Sequence, residues 1–335
     1  MRPEQPMKPM RMALMFAVLA GSFVAAASVR AAAEAAAAFP SKPVRWVVGF
    51  APGASNDVIA RTVGARLSES LGQQFIVDNR TGAAGMIAGE IVARSVPDGY
   101  TLLLATGGPN TISPILTRKP AYRVEDFEYV SVVAYTPLIL VVTPSFPAKT
   151  PRELVEHLKA YPGKVNWGSA GVNSSPHVGL ATFEYATGTR TTHVPYKGAA
   201  VALIDIASGQ IDAMLTSVAS AEAAIRGNRV RVVAVAGPKR VPAIPDAPTF
   251  AESGISNGDS LVWFGMAAPL KTPQAIISKL NASVTAALAV PDVQRRFTDL
   301  GMEIVGGSPA NAATFVREEA ARIRGLLKAG VLKQE

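Results

Sequence analysis

Short β-branched runs alternate with helix-period apolar spacing along the chain from Lys42 onward. The runs Val44–Phe50, Phe75–Asp78, Thr101–Ala105, Tyr129–Val142, Val165–Gly168, Thr192–Val194, Asp212–Leu215, Val230–Ala236 and Leu261–Ala267 predict strands. Between the first runs, apolar residues recur one helical turn apart: Val58, Ile59, Val63 and Leu67, then Met86, Ile87, Ile91 and Val92. Thr150-Pro151-Arg152-Glu153 sets a cap, a proline at the first helical position and a glutamate at the third, so a helix starts there. Thr272-Pro273 opens another helix, and a last one spans about Pro309 to Leu327. Strands separated by helices predict an α/β fold of βαβ units with a mostly parallel sheet.

Two β-rich runs differ from the others. Tyr129–Pro144 is long enough to leave one sheet and enter a second, and Leu261–Pro269 is placed to return. Such crossing strands predict two α/β lobes with a cleft between them, the first lobe built from both ends of the chain. Lobe 1 is then residues 39–142 plus 260–335, and lobe 2 is residues 143–259. No internal repeat is visible.

The N-terminus reads differently. Arg2, Lys8 and Arg11 precede an uncharged apolar run, Ala13–Ala27, followed by small residues, which is the pattern of an export signal. That run falls short of the about 20 residues a membrane span needs. Residues 1–38 are therefore expected to be a signal peptide, cleaved between Ala27 and Ala38, which leaves a soluble periplasmic protein.

Composition narrows the chemistry. The 335 residues contain no cysteine and three histidines. This removes disulfides, thiolate metal sites, cysteine nucleophiles and a lipid anchor on cysteine. No metal and no cofactor are expected. The net charge is +8; loss of Arg2, Lys8, Arg11, Arg30, Glu4 and Glu34 with the leader makes it +6. A mildly positive envelope draws in anions. No basic run with interleaved aromatics supports nucleic-acid binding.

The candidate chemistry lies in the loops after the strands. Phe50-Ala51-Pro52-Gly53-Ala54-Ser55-Asn56-Asp57 joins a strand to a helix whose cap is expected at Ser55 or Asn56. The first helical amides lack intrahelical acceptors and carry partial positive charge, so this end can hold a carboxylate without a cationic side chain. Thr106-Gly107-Gly108, Ser169-Ala170-Gly171-Val172-Asn173-Ser174-Ser175 and Thr216-Ser217 are similar loops at strand carboxyl ends, where open α/β sheets bind ligands. Three or four hydrogen bonds to an anion, at about 1.5–3 kcal/mol each, approach the roughly 8 kcal/mol of a micromolar site. Catalysis has less support: Gly168-Ser169-Ala170-Gly171 is not a nucleophile elbow, and no zinc, dinucleotide or P-loop motif occurs. Asp212 is either strand-end structure or a ligand contact, and Lys197 is either a surface lysine or the partner of a distal carboxylate.

The segments Phe39-Pro40-Ser41-Lys42-Pro43-Val44, Pro52-Gly53-Ala54-Ser55-Asn56-Asp57, Asp78-Asn79-Arg80-Thr81-Gly82-Ala83-Ala84-Gly85, Pro97-Asp98-Gly99-Tyr100-Thr101, Gly168-Ser169-Ala170-Gly171, Thr192-His193-Val194-Pro195-Tyr196-Lys197-Gly198 and Trp263-Phe264-Gly265 together resemble the Bug family. These are extracytoplasmic solute receptors of tripartite tricarboxylate transporters, similar to the TctC subunit. The resemblance implies a type II periplasmic-binding-protein fold, with two α/β lobes joined by crossing hinge strands and closing on one small organic carboxylate. It also implies a two-component membrane permease as partner and no enzymatic activity. A monomer is expected. A receptor of the same fold that signals to a membrane sensor kinase is the alternative. By the same resemblance, the loops at Phe50–Asp57 and Ser169–Ser175 hold the carboxylate, partly through water, and Thr106–Gly108 and Pro195–Lys197 complete the walls. Two departures stand out: Ala54 and Thr81 replace the family's usual glycine and proline. Ala54 is strained if its backbone needs positive φ; otherwise its methyl narrows the site.

Overall fold

The structure, a computed structural model, describes residues 38–334. The expected leader therefore lies outside the described residues except for Ala38. β1 (Val44–Val48), α1 (Ser55–Leu71), β2 (Phe75–Asn79), α2 (Met86–Ala93) and β3 (Thr101–Thr106) form the first βαβ series. A wide turn over Gly108–Ile112 runs into the short α3 (Ser113–Leu116), and β4 (Phe127–Val142) follows. The second series is α4 (Pro151–Ala160), β5 (Asn166–Ser169), α5 (Ser175–Thr187), β6 (Thr192–Pro195), α6 (Ala199–Ala207), β7 (Ala213–Thr216), α7 (Val218–Arg226) and β8 (Arg231–Ala236). The chain closes with β9 (Leu261–Pro269), α8 (Gln274–Leu288), α9 (Pro291–Asp299), β10 (Glu303–Gly306) and α10 (Pro309–Lys328).

The strands run in the order β2-β1-β3-β9-β4-β7-β5-β6, with β8 and β10 also on β4. β4 is the shared element. Its Phe127–Pro137 stretch pairs with β9, and Leu138–Val142 pairs with β8 and, from Ile139, with β7. Register shifts near Tyr129/Ser131 and Val132/Ala134 bend β4 as it leaves the first half. The ladders β1–β2, β1–β3, β5–β6 and β5–β7 are parallel, as the βαβ pattern predicts. Every ladder involving β4 or β9 is antiparallel, so "mostly parallel" holds only away from the crossing strands. The reason is directional: β4 carries the chain out of the first half and β9 carries it back.

Helices cover the sheet with the apolar faces that the spacing predicts. α1 buries Ile59, Val63 and Leu67 over Trp46 and Phe75, and such side chains contribute about 1.5–3 kcal/mol each when fully buried. The same core continues through Leu138, Leu140 and Val142 of β4 to Trp167 and Phe183, tying the halves together. α4 starts as read: the Glu153 amide donates to Thr150 Oγ1 at 3.2 Å and the Glu153 carboxylate accepts from the Lys149 amide at 2.7 Å. Thr272 does not cap the next helix; its hydroxyl donates to the Pro269 carbonyl, and Pro273 precedes the first turn. Among the described residues, no single helix is long and apolar enough to cross a membrane.

Candidate ligand-binding site

Loops leaving the carboxyl ends of β1, β3, β5, β6 and β7 meet along one edge of the sheet. There they enclose a cavity of about 40 Å³, room for about three waters. From the first half come Phe50, Ala54, Ser55, Asn56, Thr106 and Gly108; from the second come Ala170, Ser174, Ser175, Pro176, Ala199, Thr216, Ser217 and Ser220. Leu138 of β4 and Val262 of β9 complete the lining where the strands cross. No charged side chain belongs to this lining.

The first loop is shaped by one glycine and one aspartate. Gly53 has φ +85, a conformation open to glycine at little cost, and Ala54 returns to extended backbone at φ −88, ψ 169. Ala54 is therefore unstrained, and its methyl group lines the cavity. Ala54, not Ser55 or Asn56, is the N-cap of α1, and it makes no side-chain cap bond. Neither polar side chain is used as the cap: Ser55 Oγ accepts from Ser220 Oγ at 3.4 Å, and Asn56 Oδ1 has no partner. The Ser55 amide donates across the cleft to Ser220 Oγ at 3.2 Å, so the two halves are closed on each other here.

Asp57 lies behind the loop and is not part of the lining. Its carboxylate accepts from the Gly53 amide, from Arg61 Nε and from Asn79 Nδ2, and Asn79 also donates to the Phe50 carbonyl. Burial pushes the Asp57 carboxyl up, but the bonds from Arg61, Gly53 and Asn79 together outweigh it and hold it below the usual carboxylate range. Asp57 is thus a positioning residue. Asp57→Ala is expected to weaken ligand affinity by about tenfold, about 1.4 kcal/mol, through loop loosening alone. Calorimetry checks this, and an unchanged affinity would remove Asp57 from the account.

The opposing loop is braced by two histidines. Ser169 Oγ lies 2.7 Å from His193 Nε2 and accepts from the Gly171 amide at 3.1 Å, and Ser174 Oγ donates to the Gly171 carbonyl at 2.6 Å. The Asn173 amide donates to His177 Nδ1, and the two imidazoles stack with centroids 4.2 Å apart. Ser169, Gly171 and Asn173, expected as ligand contacts, therefore build the loop from behind instead of lining the cavity.

Burial, aided by His193, pushes His177 down to about 4, and burial lowers His193 as well. The sign follows from linkage. A depressed folded value favours the neutral ring, so this stability is complete above about 6.5 and is lost as pH falls toward about 4. Urea unfolding at pH 7 and pH 5 is expected to show a loss of about 1–2 kcal/mol that His177→Gln reduces. An equal loss in the variant would contradict the assignment.

Other expected contacts fall elsewhere. Gly53 and Gly107 belong to the loops but not to the lining. Pro195 ends β6 on the exposed side, and Lys197 is exposed in the turn before α6. Asp212 lies at the opposite end of the sheet: its carboxylate accepts from the Asn166 amide at 2.7 Å just before β7. That placement is the strand-end one of its two readings. Trp263 and Phe264 are core, at 1% and 0% exposure.

Leu138, Pro176, Ala199, Ser217, Ser220 and Val262 were not among the expected contacts. The spacing Ser217-x-x-Ser220 was the available signal for two of them: Ser217 caps α7, and its hydroxyl bonds to both the amide and the hydroxyl of Ser220.

Electrostatics and orphaned polar atoms make the cavity the candidate site. The amino ends of α1, α5, α6 and α7 and the turn at Gly108 all reach it, so partial positive charge converges from both halves. Among the described residues, Asn56 Oδ1, Thr106 Oγ1 and Thr216 Oγ1 are buried without a hydrogen-bond partner, and all three residues line the cavity. Leaving such atoms unpaired costs about 1–3 kcal/mol each, which a polar ligand or water recovers. A wider groove of about 750 Å³ lies on the second half beside Lys149–Arg152 and Ala243–Pro248, and none of those orphaned atoms belongs to its lining.

Two α/β halves joined by crossing strands and closed over one uncharged, polar cavity define a periplasmic-type solute receptor. Residues 59–332 match the family described as TctC, tripartite tricarboxylate transporter family receptor, and the chain belongs to that family. The structure of the periplasmic binding protein BugD is similar, with 34% identity, a TM-score of 0.84, and coverage of 88% of this chain and 100% of that one. Rpa4515 of R. palustris, solved with adipate, is 34% identical with a TM-score of 0.84, covering 87% and 97%. MatC of Rhodopseudomonas palustris, solved with bound malate, is 32% identical with a TM-score of 0.83, covering 86% and 100%. The family and these neighbours are solute-binding receptors, so this chain is a periplasmic solute-binding protein of the TctC/Bug family and not an enzyme.

Proposed function

We propose that the protein captures a small organic carboxylate by closure of its lobes, residues 39–142 with 260–335 against 143–259, and delivers it to a two-component membrane permease. The carrying observation is the cavity itself: helix amino ends from both halves converge on a volume between them with no charged lining residue. Such a site stabilises an anion through oriented amides and hydroxyls, and without a buried cation it also releases the anion when the halves part. Adipate and malate on two relatives support a carboxylate here. The leader, residues 1–38, delivers the chain to the periplasm, where the permease is within reach.

A thermal-shift series with mono-, di- and tricarboxylates tests the binding step. A ligand at 100 times its dissociation constant adds about 2.7 kcal/mol, so at least one acid is expected to raise Tm clearly. No shift with any carboxylate would contradict the proposal. Co-purification with an affinity-tagged two-subunit permease tests delivery, and capture by a sensor kinase alone would contradict it.

A further inference from the structure

We propose that His177 is a positioning residue for ligand binding: its neutral ring holds the Asn173 amide beside the closed cleft, and a proton on that ring frees the loop and weakens capture. This rests on the carboxylate reading above and deepens it by linking binding to proton release.

The loop geometry comes first. Ser174 and Ser175 line the cavity, and Asn173 immediately precedes them. The Asn173 amide donates to His177 Nδ1 at 3.1 Å, with Asn173 at φ +63, a conformation that asparagine tolerates. An amide proton needs a lone pair, so Nδ1 is unprotonated here and the neutral ring keeps its proton on Nε2. The same segment meets the opposite half. The Asn173 carbonyl accepts from Ser113 Oγ of α3 at 3.4 Å, and Ser175 Oγ packs against Gly107, 2.6 Å from where a Cβ would stand. One imidazole thus fixes a loop that both shapes the cavity and touches the other half.

A proton on Nδ1 turns the acceptor into a donor facing a donor and leaves the Asn173 amide without its partner. It also sets a charge against the His193 ring, stacked with centroids 4.2 Å apart. In the closed form burial, aided by His193, pushes His177 down to about 4. When the halves part, Ser113 and Gly107 leave the loop, water reaches the ring, and its value returns toward the ordinary 6.5. The closed form therefore binds fewer protons than the open one. Affinity is complete above about 6.5 and is lost as pH falls toward about 4, by up to about tenfold per pH unit for one proton.

The surroundings offer little competing titration. β5, the loop through Pro176 and the stretch Gly108–Leu116 carry no titratable side chain. Glu184, two turns along α5, accepts from the Thr191 amide and hydroxyl. α10 and the chain end pack on α5 through Ile323 and Leu332, while Arg322 and Arg324 pair with Glu319 and Glu125 and Lys333 is exposed. Around β6, Arg190 and Lys197 are exposed and the Tyr196 hydroxyl donates to Asp205. Asp57, held below the usual carboxylate range, stays ionised in the window concerned. A bound carboxylate attracts a charged imidazole and opposes the effect, but neither histidine lines the cavity, whereas the lost amide bond is local.

Calorimetry on the mature chain with malate, adipate, succinate, lactate and benzoate at pH 7 and pH 5 tests this. Each acid that binds is expected to show a dissociation constant at least about fivefold larger at pH 5. In His177→Asn an uncharged Oδ1 stands where Nδ1 stood, and the pH 5 to pH 7 ratio for the same acid is expected to fall at least about threefold, the acid's own titration cancelling. His177→Phe keeps the stack on His193 but removes the acceptor, and is expected to bind at pH 7 at least about fivefold more weakly than His177→Asn. A wild-type constant unchanged or smaller at pH 5, a ratio retained in His177→Asn, or equal binding by the two variants overturns the inference and leaves the carboxylate reading intact. Absence of binding by all five acids contradicts the carboxylate reading, and the inference falls with it. Imidazole NMR titration of the wild type needs no variant: the His177 pKa is expected to be lower with the acid bound than without it, and an equal or higher value overturns the inference.

Discussion

Ala54→Leu is expected to raise the dissociation constant for the bound carboxylate at least about 100-fold, about 2.7 kcal/mol, with little change in stability. The backbone at Ala54 is extended, at φ −88, ψ 169, so leucine fits the main chain without strain. Its added carbons have nowhere to go but a cavity of about 40 Å³, which cannot hold both them and a ligand. Ala54→Gly acts in the opposite sense: the enlarged cavity accepts longer acids, with no loss of capping because glycine is a better N-cap than alanine. Calorimetry on the two variants checks both. Wild-type affinity in Ala54→Leu would mean that the ligand lies elsewhere.

Gly265→Ala is expected to cost about 2–3 kcal/mol of stability, a fall of roughly 5 °C in Tm. A Cβ at Gly265 would lie 2.6 Å from the Ser131 carbonyl oxygen, where β9 and β4 are paired and bent by register shifts. Backbone cannot yield as the tip of a flexible side chain does, so the two crossing strands must separate. Because these strands connect the halves, ligand affinity is expected to fall as well. Scanning calorimetry of the variant measures the first effect, and an unchanged Tm would show that the crossing tolerates separation.

The sequence disclosed the strands best where burial decides them. All nine β-branched runs are strands; the central ones are covered on both faces, as Val47, Val48, Leu102, Leu103, Ile139 and Val141 show by being fully buried, while the edge strands β2 and β6 are held by pairing with β1 and β5. β10 was missed: Glu303-Ile304-Val305-Gly306 is short and largely exposed, and only pairing with β4 defines it. α9, Pro291–Asp299, is also absent from the sequence reading, since its apolar face is only Val293 and Phe297, one turn apart in an otherwise polar segment. The wide turn at Gly108–Ile112 was read as a plain loop because Gly107, Gly108 and Pro109 resemble loop punctuation.

At the site, the sequence located the loops but not the direction of their side chains. Ser169 and Ser174 share one hydroxyl-rich loop, yet Ser174 lines the cavity and Ser169 is held by His193. His193 is distant in sequence, and only the β5–β6 pairing brings it alongside. Leu138 and Val262 belong to the strands expected to cross, but which of their residues faces the gap depends on strand twist and register, which no local pattern encodes. Asp212 was ambiguous because a strand-start aspartate and a ligand contact look alike until the sheet shows which end carries the loops.

A crystal structure of the mature protein with its carboxylate bound tests the central claim most directly. The account predicts carboxylate oxygens at about 2.7–3.2 Å from amides or hydroxyls at the amino ends of α1 and α5, with no lysine or arginine in contact. A carboxylate paired with Lys197, or bound in the outer groove beside Lys149 and Arg152, would contradict it.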